Sequence, residues 1–325
     1  MKRHIISILI LILALALTAA CVPLAPTAPA SESTSLTPAP SPVAEAAFPV
    51  TITDDLGRSV PIAQQPERLI SLAPSLTEVL FAIGAGDQVV GVTEYCDYPE
   101  EAKTRERIGG FSANTISVEK IVALKPDLVL AAGGFQMPVI NALEDLNISV
   151  VALDPQNMEQ VYSSIEAAGR ITGHTQEAEQ VVANMKQRVR AVVDRVANIP
   201  PEKRPKVYWQ IWDEPLMTAG PSAFAGQLIE LAGGVNIFGD LTESYPQISA
   251  EEVVKRNPEV IMGPDTHGDK LTVEVFRQRP GWADITAVQE GRIYLMDGNI
   301  VSRTGPRLVD ALEAVAKALY PDLFE

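Results

Sequence analysis

Residues 116–130 read ISVEKIVALKPDLVL, and residues 248–262 read ISAEEVVKRNPEVIM. The two segments align without a gap. In each, a serine (Ser117, Ser249) stands before a short helix-forming run. A proline pair (Lys125-Pro126, Asn257-Pro258) breaks that run, and an apolar stretch follows. Serine is a preferred helix N-cap. The residue before a proline is pushed out of helical backbone. Four or five apolar residues bounded by turn signals read as a buried strand. Each segment therefore predicts a capped helix, a turn and a strand. A second echo lies upstream of both: Pro74-Ser75, a helix and Gly84-Ala85-Gly86 answer Pro221-Ser222, a helix and Gly233-Gly234. One supersecondary unit used twice in a chain predicts two similar α/β lobes facing one another.

The alternation extends in both directions. Val50–Thr53 and Val60–Ile62 predict short strands about an Asp-Leu-Gly turn at 55–57. Strands are predicted at 69–72, 89–92, 127–131 and 148–152, with helices from Ser75 to Gly84 and over 117–124 and 136–145. Ser75 with Glu78, and Ser249 with Glu252, each have the spacing of a capping box. Two helices then adjoin at 157–172 and 175–197, broken at Gly173. The second has about 23 residues and spans ~34 Å, enough to bridge two lobes; the same helix could instead lie on the surface of one large domain. After Pro200-Pro201, strands are predicted at 206–211, 259–262 and 292–295, and helices at 222–231, 249–256, 271–279 and 306–319, the last with proline in its first turn. Strands alternating with helices imply parallel pairing through crossovers. The fold class is α/β: two Rossmann-like lobes joined by a single long helix, with a ligand cleft between them near the strands' C-terminal ends.

The N-terminus reads as an address. Lys2 and Arg3 precede an apolar run, Ile5 to Leu17, broken only by Ser7, and Ala19-Ala20-Cys21 follow. This is the pattern of a secretory signal, and the run falls short of the ~20 residues a transmembrane helix needs. Residues 22–47 are almost entirely Pro, Ala, Ser and Thr, a composition that buries no core and predicts a disordered tether. The expected organisation is a signal at 1–21, the tether at 22–47, an N-terminal lobe at 48–172, the bridging helix at 173–199 and a C-terminal lobe at 200–325.

Net charge is −15, so no basic stripe offers itself to nucleic acid. Walker A, HExxH, CxxC and GxSxG patterns are absent, and Gly84-Ala85-Gly86 does not complete GxGxxG. Outside the signal the histidines are His174 and His267, too few for a free-metal site of about three histidines; a Ser-His-Asp site would have to use one of them, and neither sits in a suggestive context. No enzyme activity, resident metal or cofactor is expected. His267 follows a strand and could face the cleft and ligate cobalt or haem iron; a surface histidine is the plainer reading. Cys96 reads as a small buried hydrophobe. Val207, Trp209 and Ile211 share one face of their strand, which assigns Trp209 to the core, and Trp282 is expected to be structural.

Several stretches together carry a resemblance: VTITDDLGRSV (50–60), PERLISLAPSLTEVLFAIGAGDQVVGVTEYCDYP (66–99), VEKIVALKPDLVLA (118–131), AGGVNIF (232–238) and YPQISAEEVVKRNPEVI (245–261). Over about 50–322 the chain resembles the periplasmic binding proteins of cobalamin and iron-siderophore ABC importers, whose lobes are joined by one rigid helix. EYCDYP (94–99), PLMTAG (215–220) and YPQIS (245–249) resemble the cobalamin-binding members most. The resemblance implies a monomeric extracytoplasmic receptor that delivers a metal chelate such as cobalamin to an ABC permease dimer. A ferric siderophore or haem receptor of the same family is the alternative, and a chelatase-like enzyme or a sensory lipoprotein a remote one. Ala19-Ala20-Cys21 is similar to a lipobox, with Thr18 where leucine is usual, which implies lipidation of Cys21 and a membrane anchor. One acidic residue per lobe docks such receptors on the permease, and by position these are Glu119 and Glu251. Tyr95 and Tyr245 match family positions that flank the ligand. Phe111 and Met217 fall at family contact positions, and Asn299, with Arg303 close by, near a polar one. Phe135 and Trp212 are added for their loop positions alone. Aromatic walls offer a flat amphipathic ring large contact area at low entropy cost.

Overall fold

The computed structural model describes residues 48–265 and 272–324. The expected signal and tether, Cys21 and His267 lie outside the described residues. The N-terminal part is built from β1 (Val50–Thr53), β2 (Ser59–Ile62), β3 (Leu69–Ser71), α1 (Pro74–Ala82), β4 (Val89–Val92), β5 (Glu106–Arg107), α2 (Val118–Ala123), β6 (Leu128–Ala131), α3 (Met137–Glu144), β7 (Val150–Ala152) and α4 (Met158–Thr172). Then comes α5 (Thr175–Val196). The C-terminal part holds β8 (Lys206–Trp212), β9 (Met217–Thr218), α6 (Phe224–Leu231), β10 (Val235–Asn236), α7 (Ala250–Arg256), β11 (Val260–Pro264), α8 (Val273–Gln278), α9 (Thr286–Gln289), β12 (Ile293–Met296), α10 (Gly298–Val301) and α11 (Leu308–Leu319).

Two parallel sheets result, one per lobe. The first has the order β5-β4-β3-β6-β7, and the second β10-β8-β11-β12 with β9 antiparallel on β8. Helices cover both faces, so the central strands are mostly apolar, with Ser71 and Gln210 the buried polar exceptions in β3 and β8. Side chains still alternate. Leu128 and Leu130 enter one core, and Val129 and Ala131 another. In β8, Val207 and Trp209 face the first core while Tyr208 faces a third, with Phe238, Phe276 and Trp282. Trp209 and Trp282 are thus core residues, as their sequence context implied, and Cys96 is buried.

The repeat is structural. Ser117 and Ser249 cap α2 and α7 by accepting the N–H groups of Lys120 and Glu252. Lys125 and Asn257, at equivalent places, both take left-handed backbone, with φ of 48° and 44°. The acids that follow the prolines then clasp the neighbouring strand's entry. Asp127 accepts the Arg68 N–H at 2.9 Å, and Glu259 accepts the Lys206 N–H at 2.8 Å.

The two capping boxes fare differently from expectation. At α1 none forms: Pro74 and Ser75 both lie inside the helix, and Ala73 is an N-cap without a side-chain bond. Glu78 turns into the protein instead. At α7 half the box forms, because the Glu252 carboxylate goes to Arg256 at 2.9 Å rather than back to Ser249. The last helix begins at Leu308, later than predicted, and α10 was not foreseen. The two-residue strands β5, β9 and β10 are too short for any periodicity to announce them.

Gly173, at φ 79°, ends α4, and α5 then runs for 22 residues. It packs on α4 and α1 in the first lobe and on α6 and α11 in the second. Gly169 sets its closeness to α4, since a Cβ there would lie 2.4 Å from that of Ala178. The core it seals is continuous, with Leu80, Val161, Met185, Val192, Leu228 and Leu312 in one cluster. Met185 is fully packed at mid-helix. Met185→Ala is therefore expected to lower the unfolding free energy by about 2–5 kcal/mol, read as a single shifted denaturant transition by circular dichroism. A loss well below 1 kcal/mol would mean this seam is loosely packed.

Candidate functional site

Between the lobes lies a cavity of about 500 Å³. The C-terminal lobe supplies its apolar wall through Trp209, Ile211, Met217, Phe224 and Tyr245, and its rim hydroxyls through Ser222, Ser244, Ser302 and Thr304. The N-terminal lobe contributes Asp154, Pro155 and Gln156, just past β7. Among the described residues, Asp154 is the one charged side chain in the lining. Burial first, and then the neighbouring Asp55 charge, raise its carboxyl above the usual range.

Local structure explains why these groups meet. β9 returns along β8, and the Tyr245 loop closes on it: Gly220 N–H donates to the Ser244 carbonyl at 2.8 Å and Thr218 N–H to that of Pro246 at 3.1 Å. Met217 and Tyr245 thereby line the same cavity as Trp209. Half of Tyr245 stays exposed, and burial of the remainder raises its phenol. Trp212 stands apart from the cavity lining. It lies one residue beyond Ile211 and so faces the other side of the strand, and its indole N–H donates to the Glu214 carbonyl at 2.9 Å.

On the N-terminal lobe Phe111 and Phe135 form a pair, their ring centroids 5.0 Å apart, and both remain exposed. Gln136, fully buried, holds them there. Its amide donates to the Leu72 and Phe111 carbonyls at 3.0 and 2.9 Å and accepts the Ala132 N–H at 2.8 Å. Arg279 does a similar service for the Trp212 loop. It donates to Gln210 and Asp213 while stacked 4.6 Å over the Trp282 ring. Neither Gln136 nor Arg279 was singled out from the sequence, where each is an ordinary polar residue in a loop or at a helix end.

The third group joins Tyr95, Asn299 and Arg303. Arg303 donates to the Tyr95 carbonyl at 3.2 Å and to Asn299 Oδ1 at 2.8 Å. Its other arm reaches across to Glu78 at 3.0 Å and Asp97 at 2.6 Å. Arg307 binds the same Glu78 carboxylate through two nitrogens, at 2.9 and 2.6 Å, and lies 4.0 Å over the Tyr98 ring. The Glu78 side chain is 1% exposed, so this is a buried charge cluster between α1 of one lobe and the α10–α11 segment of the other. Burial opposes charge on Arg303, but the two carboxylates hold it protonated. Arg303, expected at the ligand, is thus engaged on all sides by protein.

Glu119 and Glu251 lie exposed at the starts of α2 and α7. The Ser117 hydroxyl donates to Glu119 at 3.1 Å. The backbone N–H and the Ser249 hydroxyl hold Glu251 below the usual carboxylate range.

The family described as "Periplasmic binding protein" matches residues 69–300. The chain belongs to that family. It is 35% identical over 283 residues to an uncharacterized ABC transporter substrate-binding lipoprotein, YvrC, of Bacillus subtilis, which covers 86% of this chain and 88% of that one. It is 33% identical over 258 residues to the vitamin B12-binding protein of Yersinia pestis, covering 79% and 88%. The solved periplasmic heme-binding protein RhuT from Roseiflexus sp. RS-1 superposes with a TM-score of 0.71 at 27% identity, over 80% of this chain and 99% of that one. The protein is an ABC-type substrate-binding protein of this two-lobed group, a family of transport receptors rather than enzymes. No helix among the described residues is long and apolar enough to cross a membrane.

Removing one partner of a buried ion cluster leaves the others uncompensated. Glu78→Gln is expected to cost about 3–5 kcal/mol of stability, measured by chemical denaturation. A loss below 1 kcal/mol would mean that water already screens Arg303 and Arg307.

Proposed function

We propose that this receptor captures a cobalamin-like corrinoid outside the cytoplasm and hands it to a dimeric ABC permease. The observation that carries the reading is the chemistry of the cleft: an apolar and aromatic wall, a rim of hydroxyls, one carboxylate and, among the described residues, no cationic side chain in the lining. Arg303, which could have supplied a cation, is matched by Glu78 and Asp97. A corrin is flat and amphipathic, and its amide side chains are neutral hydrogen-bonding groups that suit such a rim. Haem brings two propionates and many siderophores bring net negative charge, and either would meet Asp154 without a counter-cation. The likeness to a vitamin B12-binding protein supports the same choice. Haem is the second reading, favoured by the exposed Phe111–Phe135 pair, which would cover a porphyrin face as readily as a corrin.

In this reading Tyr245 and Met217 press on the ligand from one lobe, and Tyr95, Phe111 and Phe135 from the other, with Trp212 and Asn299 at the edges. Arg303 acts through the residues it holds. The receptor works as a monomer, needs no cofactor of its own, and is held at the membrane by a lipid on Cys21 through the tether. Glu119 and Glu251, at equivalent points of the two lobes, meet basic residues of the permease, where charge sets register and encounter rate.

Calorimetric titration of the full chain with cyanocobalamin, paralleled by tryptophan fluorescence, is expected to give one-to-one binding at micromolar affinity or tighter. Tyr245→Ala should weaken it about tenfold, equivalent to roughly 1.4 kcal/mol. Saturable binding of haemin with none of cyanocobalamin would transfer the assignment to haem. The paired variant Glu119→Ala, Glu251→Ala should bind ligand as the parent does yet support no uptake in cells carrying the cognate permease. Unimpaired uptake would remove both residues from the docking surface.

A further inference from the structure

Asp154 is the feature of the cleft that the assignment above leaves without a role. Its neighbours hold it in one place. Leu153 N–H donates to Ala131 across the sheet at 2.9 Å, and the Asp154 N–H donates to the Asp55 carboxylate at 2.5 Å, pinning the backbone on both sides. Gly133, at φ 101°, leaves open the space that the carboxylate fills: a Cβ there would lie 2.2 Å from Asp154 Oδ2 and 2.5 Å from Cγ. Gln156 turns back to donate to the Asp154 carbonyl at 2.9 Å. Among the described residues no lysine, arginine or histidine pairs with it, in contrast to Glu78, Asp97, Asp213 and Asp310, each of which faces an arginine. A part-buried carboxylate without a cation, locked in one orientation and opening on a cavity, is a hydrogen-bond acceptor waiting for a donor.

Resting on the reading of the cleft as a chelate site, we propose that Asp154 is its specificity-determining residue: a fixed carboxylate that accepts a hydrogen bond from an N–H group at the rim of a neutral or cationic chelate and repels chelates whose rim carries carboxylates. Repulsion between like charges strengthens where water is excluded, and like-charge juxtaposition is an effective way to reject a wrong partner. The same residue thus attracts one class and excludes the other, while the apolar wall opposite takes the ring of either.

The test uses the full chain, wild type and Asp154→Asn, at pH 7.5 with three probes: neutral cyanocobalamin, cationic ferrioxamine B and haemin with its two carboxylates. Thermal melts first establish that the variant is folded. Wild type is expected to prefer cyanocobalamin over haemin. Asp154→Asn should lose about tenfold in cyanocobalamin affinity and gain about tenfold for haemin, inverting or erasing the preference. An unchanged ratio of the two affinities overturns the proposal. If wild type binds ferrioxamine B but not cyanocobalamin, and the variant weakens that binding, the corrinoid reading fails while the role of Asp154 stands. A wild type that prefers haemin overturns both.

Discussion

A carboxylate cut off from water must find cations, and Glu78 finds two. Both come from the opposite lobe, on the segment between α10 and α11, so the relative placement of the lobes is fixed by charge as well as by the long helix that joins them. The consequences run outward from that cluster. Arg303, held by Glu78 and Asp97, braces the Tyr95 loop and Asn299. Its neighbours in sequence, Ser302 and Thr304, turn the other way and line the cavity. The cation is taken up in joining the lobes, and among the described residues the cavity is left with hydroxyls, hydrocarbon, the Gln156 amide and a single acid. What the cleft can bind follows from what the lobes needed in order to meet.

The architecture was legible because its signals are local. A serine cap, a proline turn and an apolar strand occupy fifteen consecutive residues, and they recur; the structure adds that even the left-handed residues at Lys125 and Asn257 coincide. Glu78 shows where such reading ends. The Ser-x-x-Glu spacing at 75–78 is that of a capping box, but Pro74 places Ser75 inside the helix rather than ahead of it. The partners Glu78 adopts lie 225 and 229 residues away, beyond the reach of any rule about spacing.

The site divides in the same way. The family resemblance pointed to Met217 and Tyr245, which line the cavity, and to Phe111; loop position alone pointed to Phe135, which pairs with Phe111, and to Trp212, which stands apart from the lining. Gln136, Arg279 and Asp154 escaped notice because a polar residue's part depends on what packs over it. Gln136 is buried only because the Leu72, Phe111 and Ala132 backbones converge on it. Arg279 matters only because Phe276 and Trp282 offer it their faces.

The core that passes without interruption from one lobe to the other also governs when this chain can fold. The second half of α5 is covered by α11, the last helix, and Arg188 of α5 is paired there with Asp310 and Glu313. Until those residues arrive, the apolar stripe of the bridging helix has no lid, and the earlier lobe lacks the finished seam against which it closes. Synthesis runs from the N-terminus at about 5–20 residues per second, so this seam can close only after α11, more than a hundred residues beyond α5, has been made.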